Sequence, residues 1–133
     1  CAGKLDEEWM LRLEDMTEIS ELVRSSLGKG DNCSEAWETG FDAAKEMGRD
    51  ENLMGMRPEQ ARFLGHSVGL ELDETPVIAK GFERPLEIGG TMAIEPKVIY
   101  RDGAIGIEDT WTRSSDGMES LTPGADLPPL IHW

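Results

Sequence analysis

Three side chains in the second half of the chain have the chemistry of divalent-metal ligands. His66 lies in a glycine-containing segment, Glu95 precedes a proline, and Glu108 lies between an isoleucine and an aspartate. Imidazole nitrogen and carboxylate oxygen both bind ions of the manganese-to-zinc series. Each of the three residues stands in a stretch typical of a β-strand. Their types and settings therefore predict part of a metal site.

A hairpin would bring the two carboxylates together. An Asp-Gly pair at 102–103 separates two extended runs, 91–100 and 104–112, and Asp-Gly between such runs favours a two-residue turn. In that register Glu95 and Glu108 lie diagonally on one face of the sheet, about 7–8 Å apart. Two carboxylates this close repel each other unless a cation or a proton lies between them. Metal binding and an exposed acidic sheet face both remain open interpretations of the pair.

His66 has a setting that permits close contact. Its neighbours Gly65 and Ser67 are small, and small residues allow a backbone or a ligand to approach. Taken alone, such a histidine is more often structural or merely exposed than a metal ligand. The other histidine, His132, lies at the very end of the sequence and is not a candidate ligand.

The elements that must position these side chains are predicted from periodicity. Apolar residues at three- and four-residue steps predict a helix from Asp6 to Gly28, and a second helix from Asn32 or Ser34 to Gly48. The apolar positions are Trp9, Leu13, Met16, Ile19, Val23 and Leu27, then Trp37, Phe41, Ala44 and Met47. The β-rich second half completes an α+β fold, with two amphipathic helices packed on a curved, mainly antiparallel sheet.

Composition limits the classes of partner. The chain has 133 residues and a net charge of −14 at pH 7, so that neither nucleic acid nor an anionic membrane is an expected partner. No apolar run reaches the roughly 18 residues that span a bilayer. Two cysteines, Cys1 and Cys33, form no disulfide framework, which favours a reducing, cytoplasmic location.

Taken together, the motifs resemble those of a known superfamily. The segments 63–71, 92–96 and 107–110 are similar, in order and spacing, to the metal-binding motifs of the pita-bread metallopeptidases, and 115–122 resembles the end of their Xaa-Pro branch. This superfamily includes methionine aminopeptidases, Xaa-Pro aminopeptidases, prolidases and creatinase. The resemblance covers essentially the whole chain. It implies that residues 1–133 are the C-terminal part of a pita-bread catalytic domain, with a loop-like tail at 123–133.

The resemblance also implies a dinuclear metal site. His66 and Glu95 would bind one ion, and Glu108 would bridge two. Two aspartates would complete the ligand set, and in the family they come from a hairpin that would precede Cys1. Mn²⁺ is the expected metal, with Co²⁺, Zn²⁺ or Fe²⁺ as alternatives.

The implied activity is hydrolysis of an N-terminal Xaa-Pro-type peptide bond. Glu95 and His66 would be the catalytic residues, with Glu95 moving a proton from water to the leaving amine. A small peptide would be the substrate, and the missing half of the domain a necessary partner. The isolated chain is expected to be inactive and to self-associate, because a half-domain exposes a sheet edge and apolar surface.

Three positions depart from the family pattern. Asp73 stands where many relatives have a histidine that contacts the substrate, and it could instead hold the positive N-terminus of a peptide. Gly106 replaces an arginine common in prolidases, which weakens the expectation of strict dipeptidase specificity. Lys97 replaces a common glycine and has no interpretation from sequence. Two alternatives therefore stay open: a creatinase-like hydrolase of another small C–N substrate, and a non-catalytic binding module.

Overall fold

Two helices form the first half of the molecule. The computed structural model of the chain describes residues 5–122, so the predicted tail at 123–133, Cys1 and His132 lie outside the described residues. Helix α1 spans Glu7–Lys29 and helix α2 spans Cys33–Glu46. Neither helix in the described part of the chain has the length and apolar content needed to cross a membrane.

The helix ends follow local hydrogen bonding. The side chain of Asp6 accepts from the backbone N–H of Trp9 at the start of α1, and Asn32 forms a capping box with Glu35 at the start of α2. Helix α1 continues past the predicted stop at Gly28. The helix ends at Lys29, because Gly30 adopts the left-handed conformation and its N–H donates to carbonyls of the last turn.

Between residues 63 and 122, the described part of the second half has seven strands, and all of their pairs are antiparallel. The strands are β1 (Phe63–Ser67), β2 (Glu74–Ala79), β3 (Thr91–Ile94), β4 (Lys97–Tyr100), β5 (Gly103–Gly106), β6 (Asp109–Ser114) and β7 (Gly117–Ser120). Five strands form one sheet in the order β2-β1-β3-β6-β7, and β4 pairs with β5 in a separate ribbon. The predicted α+β class, with helices on a mainly antiparallel sheet, is confirmed.

One core joins the helices to the sheet. Its fully buried members come from α1, α2 and strands β1 to β4: Met16, Ile19, Val23, Leu27, Cys33, Leu64, Ile78, Met92, Ile94 and Val98. Burial of each large aliphatic side chain contributes about 1.5–3 kcal/mol to folding. The apolar stripe predicted for α1 is buried from Leu13 to Leu27. On α2 the buried positions include Ala36, Gly40, Ala43 and Ala44, and the predicted Trp37, Phe41 and Met47 are half-buried against the core.

The predicted hairpin exists, but its register differs. Tyr100 pairs with Gly103, so the two turn residues are Arg101 and Asp102 rather than the Asp-Gly pair. Gly103 belongs to the strand because Trp9 of α1 lies against it: a Cβ there would be 3.1 Å from the indole ring. The shift is two residues, and a two-residue shift leaves every side chain on its original face.

The predicted long strands are also both interrupted. The first breaks between β3 and β4 at Glu95 and Pro96, and the second breaks between β5 and β6 at Ile107 and Glu108. Pro96 has no N–H to donate to a ladder, which explains the first break. The same register holds on both sides of the breaks, so that Glu95 and Glu108 are counterparts within the irregular stretch. We call this stretch, residues 95–96 and 107–108, the strand break.

Candidate functional site

His66 lies on β1, an inner strand of the five-stranded sheet. It pairs with Val77 on β2 and with Ala93 on β3, and only 7% of its surface is exposed. The preceding glycine makes this packing possible, because a Cβ at Gly65 would lie 2.2 Å from the carbonyl oxygen of Ala93. The close backbone approach expected around His66 is therefore a feature of the structure.

Glu95 reaches the same point from the end of β3. Its backbone N–H donates to the carbonyl of Leu64 at 2.9 Å, which fixes the strand break against β1. The Glu95 side chain is 10% exposed, and its Oε1 lies 3.3 Å from His66 Nε2. Two residues 29 positions apart in the sequence thus meet because β1 and β3 are neighbours in the sheet.

The orientation of the imidazole determines what Nε2 can do. His66 Nδ1 lies 3.1 Å from the carbonyl oxygen of Ser67, and a carbonyl can only accept, so Nδ1 carries a proton and donates it there. In the neutral ring the lone pair is then on Nε2. This is the hydrogen-bonding pattern of metal-binding histidines, in which the outer nitrogen is held by a backbone carbonyl or a carboxylate.

Two carboxylates face that nitrogen. Besides Glu95, the Oδ1 atom of Asp73 lies 3.1 Å from His66 Nε2, although 75% of the Asp73 side chain is exposed. An unprotonated Nε2 cannot donate a hydrogen bond to either carboxylate. The arrangement is therefore favourable only with a proton or a metal cation among the three groups. Asp73 was predicted as a substrate-binding residue, and the structure places it at the mouth of the site.

A lysine contacts the other oxygen of Glu95. Lys97 Nζ lies 2.5 Å from Glu95 Oε2, with 36% of the Lys97 side chain exposed. The departure at Lys97 was visible in the sequence, but its role was not. The signal that could have revealed it is the spacing, since residues two apart in an extended chain project to the same side.

Glu108 occupies the opposite side of the strand break. Its side chain is exposed, and it makes no hydrogen bond or ion pair with the residues in 5–122. Over this same range no group of three or more His, Cys, Asp or Glu side chains has an arrangement able to hold a metal ion. The structure therefore brings two of the three predicted ligands together, His66 and Glu95, and leaves Glu108 apart from them.

The donor pair suits a divalent ion but forms only part of a coordination shell. His66 Nε2 supplies a borderline nitrogen and Glu95 Oε1 a hard oxygen, a combination that fits ions of the manganese-to-zinc series. Such ions take at least four ligands. The remaining ligands must then come from Glu108, from water, or from protein outside this chain.

Comparison with known proteins gives one family and many related structures. The model of metallopeptidase family M24 matches residues 2–112. A 60-residue stretch is 42% identical to the Xaa-Pro dipeptidase of Pyrococcus furiosus, covering 44% of this chain and 17% of that protein.

Solved structures extend the likeness to the whole chain. An X-Pro aminopeptidase from Thermotoga maritima superposes with a TM-score of 0.83 at 22% identity, covering 99% of this chain and 35% of that one. The prolidase from Pyrococcus horikoshii gives a TM-score of 0.78 at 28% identity, covering 90% of this chain and 33% of that one. The chain thus spans about a third of the length of these solved relatives.

Proposed function

The chain belongs to metallopeptidase family M24, and from this premise we propose that it is the C-terminal part of a metal-dependent peptidase that cleaves N-terminal Xaa-Pro bonds. Its relatives support the substrate class, since they include an Xaa-Pro dipeptidase, an X-Pro aminopeptidase and a prolidase. Residues 1–133 would form the second half of the catalytic domain, and the first half would be supplied by the preceding part of the protein.

One observation carries the proposal. The Nε2 lone pair of His66 and the Oε1 atom of Glu95 converge at 3.3 Å in a largely buried position, with Nδ1 already held by a backbone carbonyl. A structural histidine in a core would have a donor or acceptor partner matched to each nitrogen. Here the second nitrogen faces only carboxylates, and a metal ion held by these groups together would satisfy all of them.

The ligand roles rest on the resemblance to the family. His66, Glu95 and Glu108 would hold the two ions together with two aspartates from the preceding part of the protein. We assign Mn²⁺ as the metal because two carboxylates and one imidazole from this chain make an oxygen-rich ligand set. When bound, divalent ions of this kind supply Lewis acidity, which favours deprotonation of water and polarises a scissile carbonyl.

The chain's own residues then manage the proton and the substrate. Glu95 accepts a proton from the attacking water and returns it to the leaving amine. His66 is held in one tautomer by Ser67, so its orientation does not change during turnover. Asp73 is exposed at the mouth of the site and accepts hydrogen bonds from the positive N-terminus of the peptide.

Asp73 limits what this position contributes to the transition state. An ionised carboxylate has no proton to donate, so it cannot stabilise a developing oxyanion as a hydrogen-bond donor would. We therefore assign Asp73 to substrate binding, and place the stabilisation of the oxyanion outside its reach.

The isolated chain should be inactive, because the described residues provide only part of a ligand set. Its outer strands within residues 5–122, β2 and β7, present unpaired edges, and we expect self-association through this exposed surface. We propose a cytoplasmic location on the basis of the buried free thiol of Cys33.

The test is hydrolysis by the complete protein that contains this chain. Xaa-Pro dipeptides and longer Xaa-Pro peptides should be cleaved in the presence of Mn²⁺, and removal of the metal with a chelator should abolish cleavage until Mn²⁺ is restored. Creatine-like compounds and peptides without proline serve as matched negatives. Turnover of a creatine-like compound in place of peptides would support the creatinase-like alternative, and no turnover with metal bound would indicate a binding module.

A further inference from the structure

The Lys97–Glu95 ion pair is a feature that the proposed ligand set does not explain. Glu95 presents its two oxygens to different partners: Oε1 faces His66 Nε2 at 3.3 Å, and Oε2 is bonded to Lys97 Nζ at 2.5 Å. An oxygen that accepts a hydrogen bond from an ammonium group still has a second lone pair, but a divalent ion at that oxygen would lie beside a like charge. Lys97 therefore disfavours metal binding at Oε2.

The local backbone is built to hold this lysine. Lys97 pairs with Gly106 across the β4–β5 ribbon. A Cβ at Gly106 would lie 2.4 Å from the Cβ of Lys97 and 2.5 Å from the carbonyl oxygen of Pro96. These distances leave no room for any side chain at position 106, so Gly106 allows the two strands to approach and Lys97 to keep its place beside Glu95.

The charge around the pair is unbalanced. His66 Nε2 lies near the carboxylates of both Asp73 and Glu95. Within residues 5–122, Lys97 forms an ion pair with Glu95, and no other lysine or arginine pairs with Glu95 or Asp73. Because Glu95 is largely buried, an unpaired charge there would be costly. Lys97 supplies the compensating positive charge when no metal is bound.

We propose that Lys97 is a built-in counter-cation that restricts Glu95 to one metal-binding oxygen and lowers the site's affinity for divalent ions. The part concerning metal rests on the proposed function. Lys97 is a positioning residue in this scheme: it acts through Glu95 and leaves Oε1 directed at His66. The strength of metal binding is then set by competition between the ammonium group and the ion for the same carboxylate.

The experiment replaces Lys97 by methionine, which keeps the length of the side chain and removes its charge. In the complete protein, K97M should bind Mn²⁺ about tenfold more tightly by calorimetric titration, because Oε2 becomes available to the ion and the like charge of the ammonium group is removed. In chelator, the same variant should unfold at a lower temperature, because Glu95 loses its partner. K45M is the matched control, since Lys45 forms an ion pair with Asp42 on the exposed surface of α2.

A second pair of variants separates charge from packing. K97R keeps a cation at this position and should bind Mn²⁺ within about twofold of the unmodified protein, since charge-assisted hydrogen bonds to the carboxylate persist. K97Q removes the charge but keeps a polar group, and it should behave like K97M. K97Q also replaces K97M in the titration if the methionine variant does not fold.

The outcomes distinguish this inference from the proposed function. Equal Mn²⁺ affinity in K97M, K97Q and the unmodified protein would overturn the role of Lys97, and so would an equal gain in K45M. If the complete protein cleaves no peptide but K97M still binds Mn²⁺ more tightly than K45M does, the inference stands and the proposed activity fails. If the complete protein cleaves Xaa-Pro peptides but K97M has unchanged metal affinity, the proposed activity stands and the inference about Lys97 fails.

Discussion

Two regions of the molecule treat buried charge in opposite ways. Between the helices and the loop after α2, Arg49 Nε pairs with Asp15 Oδ2 at 2.7 Å, and both side chains are about 15% exposed. At the site, Glu95 is shared by His66 and Lys97, and Asp73 adds a second carboxylate. The first region matches one cation with one anion, whereas the second gathers more ionisable groups than pairs can satisfy.

This difference distinguishes the structural Arg49–Asp15 ion pair from the proposed functional site around Glu95. Burial lowers the pKa of the Arg49 guanidinium, but its hydrogen bonds and charge interactions with Asp15 and Tyr100 together raise that pKa above its ordinary value. The guanidinium therefore stays charged throughout the physiological range, and its hydrogen bond to Asp15 already occupies it. At the site, Lys97 pairs with only one of the two carboxylates, so the remaining negative charge would favour a further cation. Four predictions test this contrast, from the largest expected effect to the smallest.

The largest effect should follow removal of the shared carboxylate. In the complete protein, E95Q should lower kcat for an Xaa-Pro peptide by about 10²–10⁴-fold, the usual contribution of a general base, and should also weaken Mn²⁺ binding. Steady-state kinetics and metal titration measure the two effects. E119Q, on the exposed end of β7, is the control, and a comparable loss of kcat in that variant would contradict a specific role for Glu95.

Breaking the structural pair should cost stability instead of activity. R49M leaves Asp15 buried without its partner, and we expect the free energy of unfolding to fall by about 3 kcal/mol, measured by urea denaturation. R57M removes a guanidinium that is 55% exposed and pairs with Asp50 and Glu51, and it should cost less than about 1 kcal/mol. A large fall in kcat per folded molecule of R49M would place Arg49 in the catalytic machinery and remove the contrast.

A third ionisable group, at the N-terminal end of α2, is kept neutral by burial. The Cys33 thiol is fully buried, and this burial raises its pKa from 9.0 to about 11, against a smaller opposing influence of Arg84. Above pH 9 the unfolded chain loses the thiol proton and the folded chain retains it. The contribution of the neutral thiol to the free energy of unfolding is therefore fully present below pH 9. It declines by about 2 kcal/mol as the pH rises to 11, for a pKa shift of this size.

Denaturation curves between pH 8 and 11 measure this decline, with C33A as the matched variant. The alanine variant is less stable at all pH values because it leaves a small cavity, but the component of the decline due to the thiol should be absent from it. An identical pH profile in both proteins would show that Cys33 does not titrate in this range.

The smallest effect should come from the exposed member of the site. D73N keeps the shape of the side chain and removes its charge, and we expect KM for an Xaa-Pro peptide to rise about tenfold with kcat nearly unchanged, as a lost charge-assisted hydrogen bond would give. D116N, at the exposed β6–β7 turn, is the control. A fall in kcat at constant KM would instead assign Asp73 to the chemical step.

Local features of the sequence were enough for the helices and for the α+β class. Asp6 and Asn32 act as caps, and the apolar stripe from Leu13 to Leu27 is buried as its periodicity indicated. These features depend on residues three or four positions apart, whose relation is fixed by helix geometry. The hairpin between β4 and β5 was likewise found, since a turn signal is local.

The register of that hairpin was wrong because a distant residue determines it. Trp9 of α1 packs against Gly103, and no turn rule contains that contact. The interruption of both long strands at the strand break was missed for a related reason. It depends on Pro96 together with the attachment of Glu95 N–H to Leu64 on β1, a hydrogen bond between residues far apart in the chain.

The sequence by itself determined which side chains could form the site, because their chemistry and motif spacing do not depend on folding. Only the tertiary structure decided which of them meet. Adjacent positions of β1 and β3 in the sheet bring His66 to Glu95, and the close approach of β4 to β5 at Gly106 holds Lys97 beside the same carboxylate. Such contacts arise from strand order and backbone distance, which are properties of the packed sheet.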